Sequence, residues 1–444
     1  MKNSIFLKEA CKYSSNKIRI GEVTLDSFVT TDNLLQNKAG IAIASSLPPQ
    51  GNYLSKFNHK DILVGNIRPY LKKIWFADKI GGCSADVLVF EVKKGYHPKF
   101  IYYTIFRDDF FLHAMKGSKG TKMPRGDKSQ MMEFEIPDFD IADQQKIASV
   151  LSSLDSKIEL NNSINAELEG MAKMLYDYWF VQFDFPDANG KPYKASGGKM
   201  VWNEELKREI PEGWGVVKMA DWIKADKSGD WGKEEPEGSF TKKVTCIRGA
   251  DINGLNGLAE LKPPVRYIHE KNSSKFLNSH DLIIEISGGS PIQSTGRIAF
   301  ITDATIKRFE NPLICSNFCK PISIKNKKLL YNFVYYWNSL YDAGIFFGYE
   351  GKTSGIKNLL FDSFVNSFYT VVPEDKIVDQ FYTIMENLQE KKQTTLAENQ
   401  QLSKLRDWLL PMLMNGQVTV GDSEKNEANY EVEEEMRLAA EPET

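Results

Sequence analysis

A long heptad pattern in the middle of the chain constrains its fold more than any other feature. Residues 152–180 read SSLDSKIELNNSINAELEGMAKMLYDYWF, and apolar side chains recur in steps of four and three from 147 to 175, with Asn161 and Asn165 at the centre of the seam. The pattern predicts one helix over 140–185, roughly 40 residues and about 60 Å long. A helix of this length cannot bury its apolar stripe alone, so a partner helix is expected in the same chain.

The partner helix is predicted at 373–418, where the sequence repeats the first pattern at an offset of 234 positions. Both stretches have polar middles and apolar ends, which favours pairing as an antiparallel coiled coil. Pro411 lies inside the second stretch, where we expect a kink. The side chains expected to pair are Leu151, Leu154, Ile158, Leu168, Leu175, Ile384, Leu388, Leu402, Leu405 and Leu409.

The repetition extends into the segments that precede each helix. FIYY at 100–103 corresponds to FVYY at 333–336, and HKDILVGNI around Asp61 corresponds to SHDLIIEIS around Asp281. The chain is therefore a tandem repeat of globule and helix, with a pseudo-two-fold relation expected between the copies. Short alternating strands followed by one aromatic helix predict an α+β fold with a curved β core in each globule. We place the globules at 1–139 and 210–372, a linker at 186–209, and an acidic, disordered tail at 419–444.

The net charge of −3 conceals an uneven distribution. Residues 1–140 contain 21 Lys and Arg against 15 Asp and Glu, a balance of +6, whereas 421–444 contain 2 against 9, a balance of −7. A nearly two-fold object with a basic globule suits double-stranded DNA, whose backbone has the same local symmetry.

Targeting and metal signals are weak in this sequence. No run approaches 18 apolar residues and the N-terminus has no apolar signal region, so we expect a cytoplasmic protein without membrane contact. The five scattered cysteines fit reduced structural thiols better than disulfides or a zinc site.

Two matched glycine-rich basic loops are the best candidates for DNA contact. The first, KGSKGTKMPRGDKS at 116–129, and its counterpart GYEGKTSGIKN at 348–358 combine close backbone approach with cations that can neutralise phosphates. The alternative for each is an ordinary solvated loop. The GKTS in the second loop is not a P-loop, because Phe346 occupies the position of the first glycine. The candidates are Lys116, Lys119, Lys122, Arg125 and Lys128 in the first loop and Lys352, Thr353 and Lys357 in the second.

Alternating basic and aromatic residues form a further set of candidates. Arg68, Tyr70 and Lys72 in NIRPYLKK, and Arg297 in the second globule, have the chemistry to contact base edges or phosphates, although an exposed strand shows the same alternation. The aromatic stripes FIYYTIF and FVYYW are expected to be core.

Large apolar residues near the helix ends have two possible roles. Trp179, Phe180 and Trp408 fit either an intrachain core or a docking point for another subunit, and the sequence leaves both open.

Catalytic motifs are missing from the sequence. It has no glycine-rich S-adenosylmethionine loop, no Asn-Pro-Pro-aromatic motif, no complete Walker motif and no His set with metal spacing. We therefore expect a chain that is not itself an enzyme.

The sequence resembles the specificity subunits of Type I restriction-modification systems. The resemblance spans 18–418 and is carried by SSLDSKIELNN, by IPEGWGVVKMADW at 210–222 and by LRDWLLPMLMNG in the second helix. It implies that the globules are target recognition domains, each binding one half of a bipartite asymmetric DNA site, and that the helices are the central and C-terminal spacers.

The same resemblance implies partner subunits. Two modification subunits would dock on the spacers and methylate adenine N6 with S-adenosylmethionine, and restriction subunits would cleave DNA with ATP and Mg²⁺; this chain would bind none of these cofactors. The competing hypotheses are a fused enzyme, for which the repeats leave no room, and a coiled-coil adaptor without DNA readout.

Overall fold

The computed structural model describes residues 4–48, 53–118, 122–290, 292–353 and 355–421. The chain divides into two compact units, Met1–Ile158 with Gln401–Thr444, and Glu159–Gln400. Each unit therefore contains one globule together with one end of each long helix. The predicted acidic tail lies outside the described residues from position 422 onward.

The first unit is built from short strands. Its strands are β1 (Ser4–Phe6), β2 (Cys11–Tyr13), β3 (Lys17–Arg19), β4 (Phe28–Val29), β5 (Tyr53–Phe57), β6 (Ile62–Gly65), β7 (Ile74–Phe76), β8 (Gly81–Cys83), β9 (Val87–Val92) and β10 (Glu135–Pro137). Its helices are α1 (Leu7–Ala10), α2 (Pro98–Phe106), α3 (Asp108–Lys116), α4 (Lys128–Met132) and the first half of α5 (Ile141–Tyr176).

The second unit has more strands. They are β11 (Met200–Asn203), β12 (Arg208–Pro211), β13 (Gly215–Lys218), β14 (Ile223–Asp226), β15 (Phe240–Ile247), β16 (Val265–His269), β17 (Asp281–Glu285), β18 (Ser287–Gly288), β19 (Ile298–Phe300), β20 (Leu313–Cys315), β21 (Cys319–Ile324), β22 (Glu350–Thr353), β23 (Ile356–Leu359) and β24 (Tyr369–Val372). Its helices are α6 (Ile252–Leu255), α7 (Asp303–Lys307), α8 (Leu330–Asp342), α9 (Phe361–Ser367) and most of α10 (Asp375–Met414).

One four-stranded sheet is the same in both globules, which confirms the tandem repeat. Its order is β2-β9-β6-β7 in the first globule and β14-β21-β17-β19 in the second, and every neighbouring pair is antiparallel. The pairs β1·β10 and β13·β24 correspond in the same way. The α+β fold predicted from the alternating strands is thus confirmed.

The other sheet differs between the globules. In the first, β8 lies between an antiparallel neighbour, β5, and a parallel one, β4, in the order β3-β5-β8-β4. In the second, β15 is the central strand of β16-β15-β20. The number of residues that separates corresponding positions of the two globules increases through this part of the repeat, because the second globule contains inserted residues here.

The aromatic stripes form the cores, as expected. Phe100 and Tyr103 of α2 and Phe333 and Trp337 of α8 are fully buried. Helix α2 begins with Pro98, whose fixed φ suits the first helical position.

The two long helices pair antiparallel, and the central contacts are polar. In the second unit, Asn161 Nδ2 donates to Asn399 Oδ1 at 2.9 Å, and Lys392 Nζ contacts Glu169 Oε2 at 2.6 Å. Buried polar side chains at a helix seam fix the register, because any slip would leave them unpaired.

In the first unit the same two helices are joined by an ion pair. Arg406 Nη1 lies 2.9 Å from Asp155 Oδ1.

The ends of the two long helices lie close to where the sequence places them. Asp140 caps α5 by accepting a hydrogen bond from Asp143 N at 2.8 Å, and α10 continues through Pro411 to Met414.

The predicted pairing residues fall into three groups. Leu151 is fully buried in the first core, whereas Ile384 and Leu405 are 39% and 43% exposed, on the outer side of α10. Met385, Gln389 and other neighbours occupy the buried positions instead, because the helices meet slightly off the predicted stripe. The remaining residues are partly buried: Leu154, Ile158, Leu168, Leu175, Leu388, Leu402 and Leu409.

Each globule's core is completed by the C-terminal end of the other repeat's helix. In the first unit, Leu410, Leu413 and Met414 of α10 join the core that includes Phe100. In the second unit, the end of α5 and the π-helical turn that follows it, Asp177–Val181, contribute the corresponding side chains to the core. These are Tyr176, Trp179 and Phe180.

The cysteines are buried and free. Burial raises the pKa of the Cys83 and Cys319 thiols to about 12, so neither is a reactive thiolate near neutral pH. Within the described ranges no three His, Cys, Asp or Glu side chains are clustered as metal ligands would be, and no helix there has both the length and the apolar content needed to cross a bilayer.

Candidate nucleic-acid interface

Two basic segments of the first globule, predicted separately, lie side by side. Ile67, just after β6, forms an antiparallel bridge with Arg125 of the glycine-rich loop. Arg68 N donates to Pro124 O at 2.7 Å, and Gly126 N donates to Asn66 O at 3.1 Å. The structure therefore brings the segment 66–73 and residues 124–126 of the glycine-rich loop together on one surface.

The backbone around this surface is left-handed at several non-glycine positions. Arg68 and Lys72 both have φ of 51°, and Asn37 and Lys38, which donate to Leu71 O and Lys72 O, have φ of 56° and 65°. This conformation costs a non-glycine residue roughly 1–2 kcal/mol. Strained backbone held by surrounding hydrogen bonds is common at functional sites and motivates a functional hypothesis for this corner.

The predicted cations of the first globule differ in their ion pairing. Lys116, Lys122 and Lys128 are exposed and make no ion pair within the described residues. Arg125 is 61% exposed and lies 3.0 Å from Asp86. Lys119 lies outside the described residues.

Lys72 and Tyr70 occupy the neighbouring turn. Lys72 Nζ lies 2.6 Å from Asp108 Oδ2, and Lys38 Nζ lies 2.7 Å from the other oxygen. Burial alone would raise the pKa of Asp108, but the hydrogen bonds from both lysines lower it. Tyr70 is 49% exposed. The turn therefore presents an aromatic ring beside two positive charges that share one carboxylate.

The second globule repeats the bridge between strand end and loop. Ser287 and Gly288 of β18, just after β17, pair with Asn358 and Lys357 of β23. β22 and β23 form the hairpin that contains the second glycine-rich loop. The side chains of Lys352 and Thr353 lie outside the described part of the structure.

Two of the predicted cations of this globule, Arg297 and Lys357, are neutralised by buried carboxylates. Arg297 Nε and Nη2 donate to Glu285 at 2.8 and 2.7 Å, and the hydrogen bond raises the pKa of Arg297. Lys357 Nζ lies 3.1 Å from Glu350, which also accepts from Thr295 N at 2.7 Å. Sequence alone could not show these pairs, because Glu285 ends β17 whereas Arg297 precedes β19, and Glu350 and Lys357 lie on two different strands.

Sequence reasoning missed a cleft on the same globule. Trp231, Arg248 and Phe318 line it together with Arg297 and Glu285. The one local signal was the Arg-x-x-Asp spacing of Arg248, whose guanidinium is held by Asp251. Trp231 and Phe318 come from loops with no periodic pattern.

The docking candidates separate into core and surface. Trp179 and Phe180 are 6% and 2% exposed and belong to the second core, so their role is intrachain packing. Trp408 is 57% exposed. Met174, which corresponds to Trp408 at the offset of 234, is 71% exposed.

Each unit consequently carries an exposed apolar patch at corresponding helix positions. Patch A consists of Met171 and Met174 on the end of α5 together with Tyr178 in the π-helical turn that follows it, and patch B consists of Leu405 and Trp408 on the end of α10. Met171 corresponds to Leu405 as Met174 corresponds to Trp408.

Comparison with known proteins agrees with this duplicated architecture. Residues 3–170 match a family model described as the Type I restriction modification DNA specificity domain. The chain is 26% identical over 336 residues to the specificity subunit of the Type I restriction enzyme MjaIX of Methanocaldococcus jannaschii, covering 74% of this chain and 71% of that protein. It is 24% identical over 441 residues to the HindI specificity subunit of Haemophilus influenzae, covering 88% and 94%.

A solved structure supports the fold. The crystal structure of the S subunit of a Type I restriction-modification system from M. genitalium superposes with a TM-score of 0.54 at 15% identity, covering 93% of this chain and 96% of that chain. Residues 3–170 therefore resemble the Type I restriction modification DNA specificity domain, and the predicted resemblance of the chain to Type I specificity subunits is confirmed.

Proposed function

We propose that this chain is the DNA-binding specificity subunit of a Type I restriction-modification complex and that each globule recognises one half of a bipartite asymmetric site. The observation that carries the proposal is the duplicated bridge, Ile67 to Arg125 in one globule and Ser287 to Asn358 in the other. A duplicated scaffold that presents different side chains suits a site whose halves differ in sequence.

The two kinds of contact have different roles. Lys116, Lys122 and Lys128 neutralise phosphates and release counterions, which gives affinity without sequence preference. Base recognition falls to side chains that the bridged loops hold in place, with Arg68 and Tyr70 the candidates in the first globule. Arg125 contacts phosphate when it leaves Asp86.

Patches A and B are the docking surfaces for two modification subunits. Contiguous exposed apolar side chains on a helix are typical of protein interfaces. Because the patches correspond by the repeat, two copies of one partner fit them, and restriction subunits join the complex so formed.

Catalysis belongs to those partners. Methylation of adenine N6 with S-adenosylmethionine is carried out by the modification subunits, and cleavage with ATP and Mg²⁺ by the restriction subunits. This chain supplies no catalytic group and binds none of these cofactors.

The test is reconstitution with the cognate modification subunit, followed by mapping of methylated adenines across a genome. The expected result is methylation at one bipartite motif by the complex and none by the purified chain. Methyl transfer by the chain alone would contradict the non-catalytic role. An adaptor without DNA readout would leave the motif unchanged when the first globule is exchanged for that of a relative, whereas the proposal predicts a change in one half-site only.

A further inference from the structure

Of the residues that line the cleft in the second globule, only Arg297 was predicted from the sequence to contact DNA. It has a volume of about 580 Å³, and Gly288 of β18 lies in its wall. Because β18 is also the strand that bridges to the loop at 348–358, the cleft adjoins the surface to which the proposed function assigns DNA.

Two arginines beside this cleft are held in fixed orientations. Arg248 donates from Nε and Nη2 to the carboxylate of Asp251 at 2.7 and 3.0 Å, and from Nη2 to Lys262 O at 2.8 Å. Arg297 is held by Glu285 through the same two nitrogens. In both side chains Nη1 has no hydrogen-bond partner among the described residues, so each retains a free donor nitrogen.

The charges at this site are balanced. Asp251 and Glu285 are 2% and 5% exposed, so two buried carboxylates offset the two guanidinium groups. A balanced site attracts a phosphate less strongly than free lysines do, yet it still offers oriented donors to neutral acceptors. The favoured ligand is therefore polar and uncharged.

Aromatic rings at the cleft favour a flat ligand. Trp231 is 39% exposed, and the guanidinium carbon of Arg266 lies 4.0 Å from its ring centroid. Phe318 is 53% exposed, and its carbonyl oxygen accepts hydrogen bonds from the backbone of 286 and 287. Aromatic side chains of this kind stack with nucleobases.

Glycines keep the space beside the carboxylate open. A Cβ at Gly249 would lie 2.9 Å from Glu285 Oε1, and one at Gly288 would lie 3.2 Å from it. An ion-paired carboxylate, two arginine Nη1 donors and two neighbouring glycines therefore occur together, as expected of a ligand-binding site.

We propose that this cleft accepts one unstacked nucleobase, extruded from the half-site that the second globule recognises. The inference rests on the proposed function. A concave cleft cannot admit a base that remains stacked in the duplex, so the base must leave the helix. Guanine fits best, since O6 and N7 are adjacent acceptors for arginine donors.

Mismatch scanning tests the proposal with the reconstituted complex and a duplex carrying its own mapped site. The partner-strand base is changed at each position of this half-site in turn, and affinity is measured. At the extruded position a mismatch removes the cost of unpairing, so binding is expected to tighten about tenfold or more. At positions recognised in a groove the same change weakens binding.

Variants assign the effect to the cleft. Arg248→Lys keeps the charge beside Asp251 but loses the planar donor, and Trp231→Leu removes the stacking ring from a surface position. Both should abolish the mismatch enhancement, whereas the control Lys207→Ala, an exposed cation of the same unit, should retain it. Circular dichroism establishes that each variant is folded.

The outcomes separate the two proposals. If no mismatch tightens binding although the complex prefers its own site, the base-extrusion inference is overturned and the proposed function stands. Enhancement that survives in both cleft variants also overturns it. If the complex shows no preference for its site over a scrambled duplex, both fail. Tight binding of deoxyguanosine monophosphate by the chain without DNA would make the cleft a nucleotide site instead.

Discussion

The two globules share a framework but differ in how their charges are balanced. Both have the same antiparallel sheet and the same bridge between a strand end and a glycine-rich loop. In the first globule, Lys122 and Lys128 stand exposed without ion pairs among the described residues, whereas in the second Arg297 and Lys357 are paired with buried Glu285 and Glu350. Duplication thus preserves the geometry that positions the loops, while the chemistry at the loops is free to diverge.

The largest effect is expected from truncating the helix ends that complete each core. Phe180→Ala should cost about 3–5 kcal/mol in the second unit, and Met414→Ala about 2–5 kcal/mol in the first, because both side chains are about 2% exposed. Hydrogen exchange should show faster opening of α8 in one variant and of α2 in the other. Met174→Ala, at an exposed site, is the control; equal loss in both units would mean that the units do not have separate cores.

The docking patches provide the next comparison. Trp408→Asp and Met174→Asp should each reduce the number of bound modification subunits from two to one, with a cost for tryptophan of about 2 kcal/mol or more, as expected for an interface anchor. Native mass spectrometry measures the stoichiometry. Leu112→Asp, which alters another exposed apolar side chain, should leave it at two. Full occupancy in both patch variants would place docking elsewhere.

Removing a paired cation should destabilise the second globule. Lys357→Ala leaves Glu350, whose side chain is 4% exposed, without its counter-ion, at a cost of about 1–3 kcal/mol. Chemical unfolding measures the loss. The double change of Lys357 to Ala and Glu350 to Gln should recover much of it, and a single variant as stable as the parent would show that the pair is not structural.

Removing Lys122, which makes no ion pair among the residues that the structure describes, should change DNA binding instead of stability. Lys122→Ala should make the negative slope of log affinity against log salt less steep by about 0.9, the value for one phosphate contact in duplex DNA. The preferred bases should not change. Affinity is measured across a salt series. An altered base preference would make this loop a direct reader of sequence.

The smallest effect concerns acid sensitivity of the first globule. The lowered pKa of Asp108 means that its stabilising contribution is present above the unfolded pKa of about 3.9 and is lost as pH falls through the folded value. Because this side chain is 58% exposed, solvent screening limits the contribution to below about 1 kcal/mol. The test is to measure the free energy of unfolding of the parent and of Asp108→Asn between pH 5 and 3. The same pH dependence in both proteins would contradict the prediction.

Sequence periodicity was sufficient to predict the helices and their pairing, because a 3.5-residue repeat leaves few alternatives. Asn161 and Asn165 were placed at the seam from spacing alone, and both are buried there. Ile384 and Leu405 lie outside it, since the exact face of contact depends on how two helices with polar middles meet.

The candidate site was less predictable. Matching the two basic loops by the repeat located the surfaces that the structure bridges, but the partners of Arg297 and Lys357 depend on which strands become neighbours. Trp231 and Phe318 carried no local signal, because their proximity is created by tertiary folding. These assignments as DNA contacts stay predictions.

The exchange of helix ends between repeats has a consequence for assembly. Tyr176, Trp179 and Phe180 fill the second core, whereas the corresponding positions in the first core hold the smaller Leu410, Leu413 and Met414. A fragment of 1–185 that paired with a copy of itself would have to force three aromatic rings into a space shaped for aliphatic side chains, at a cost typical of overpacking. The size difference therefore selects against self-association of half-chains: if the chain were cut within 186–209, the two pieces would recombine with each other in preference to forming homodimers.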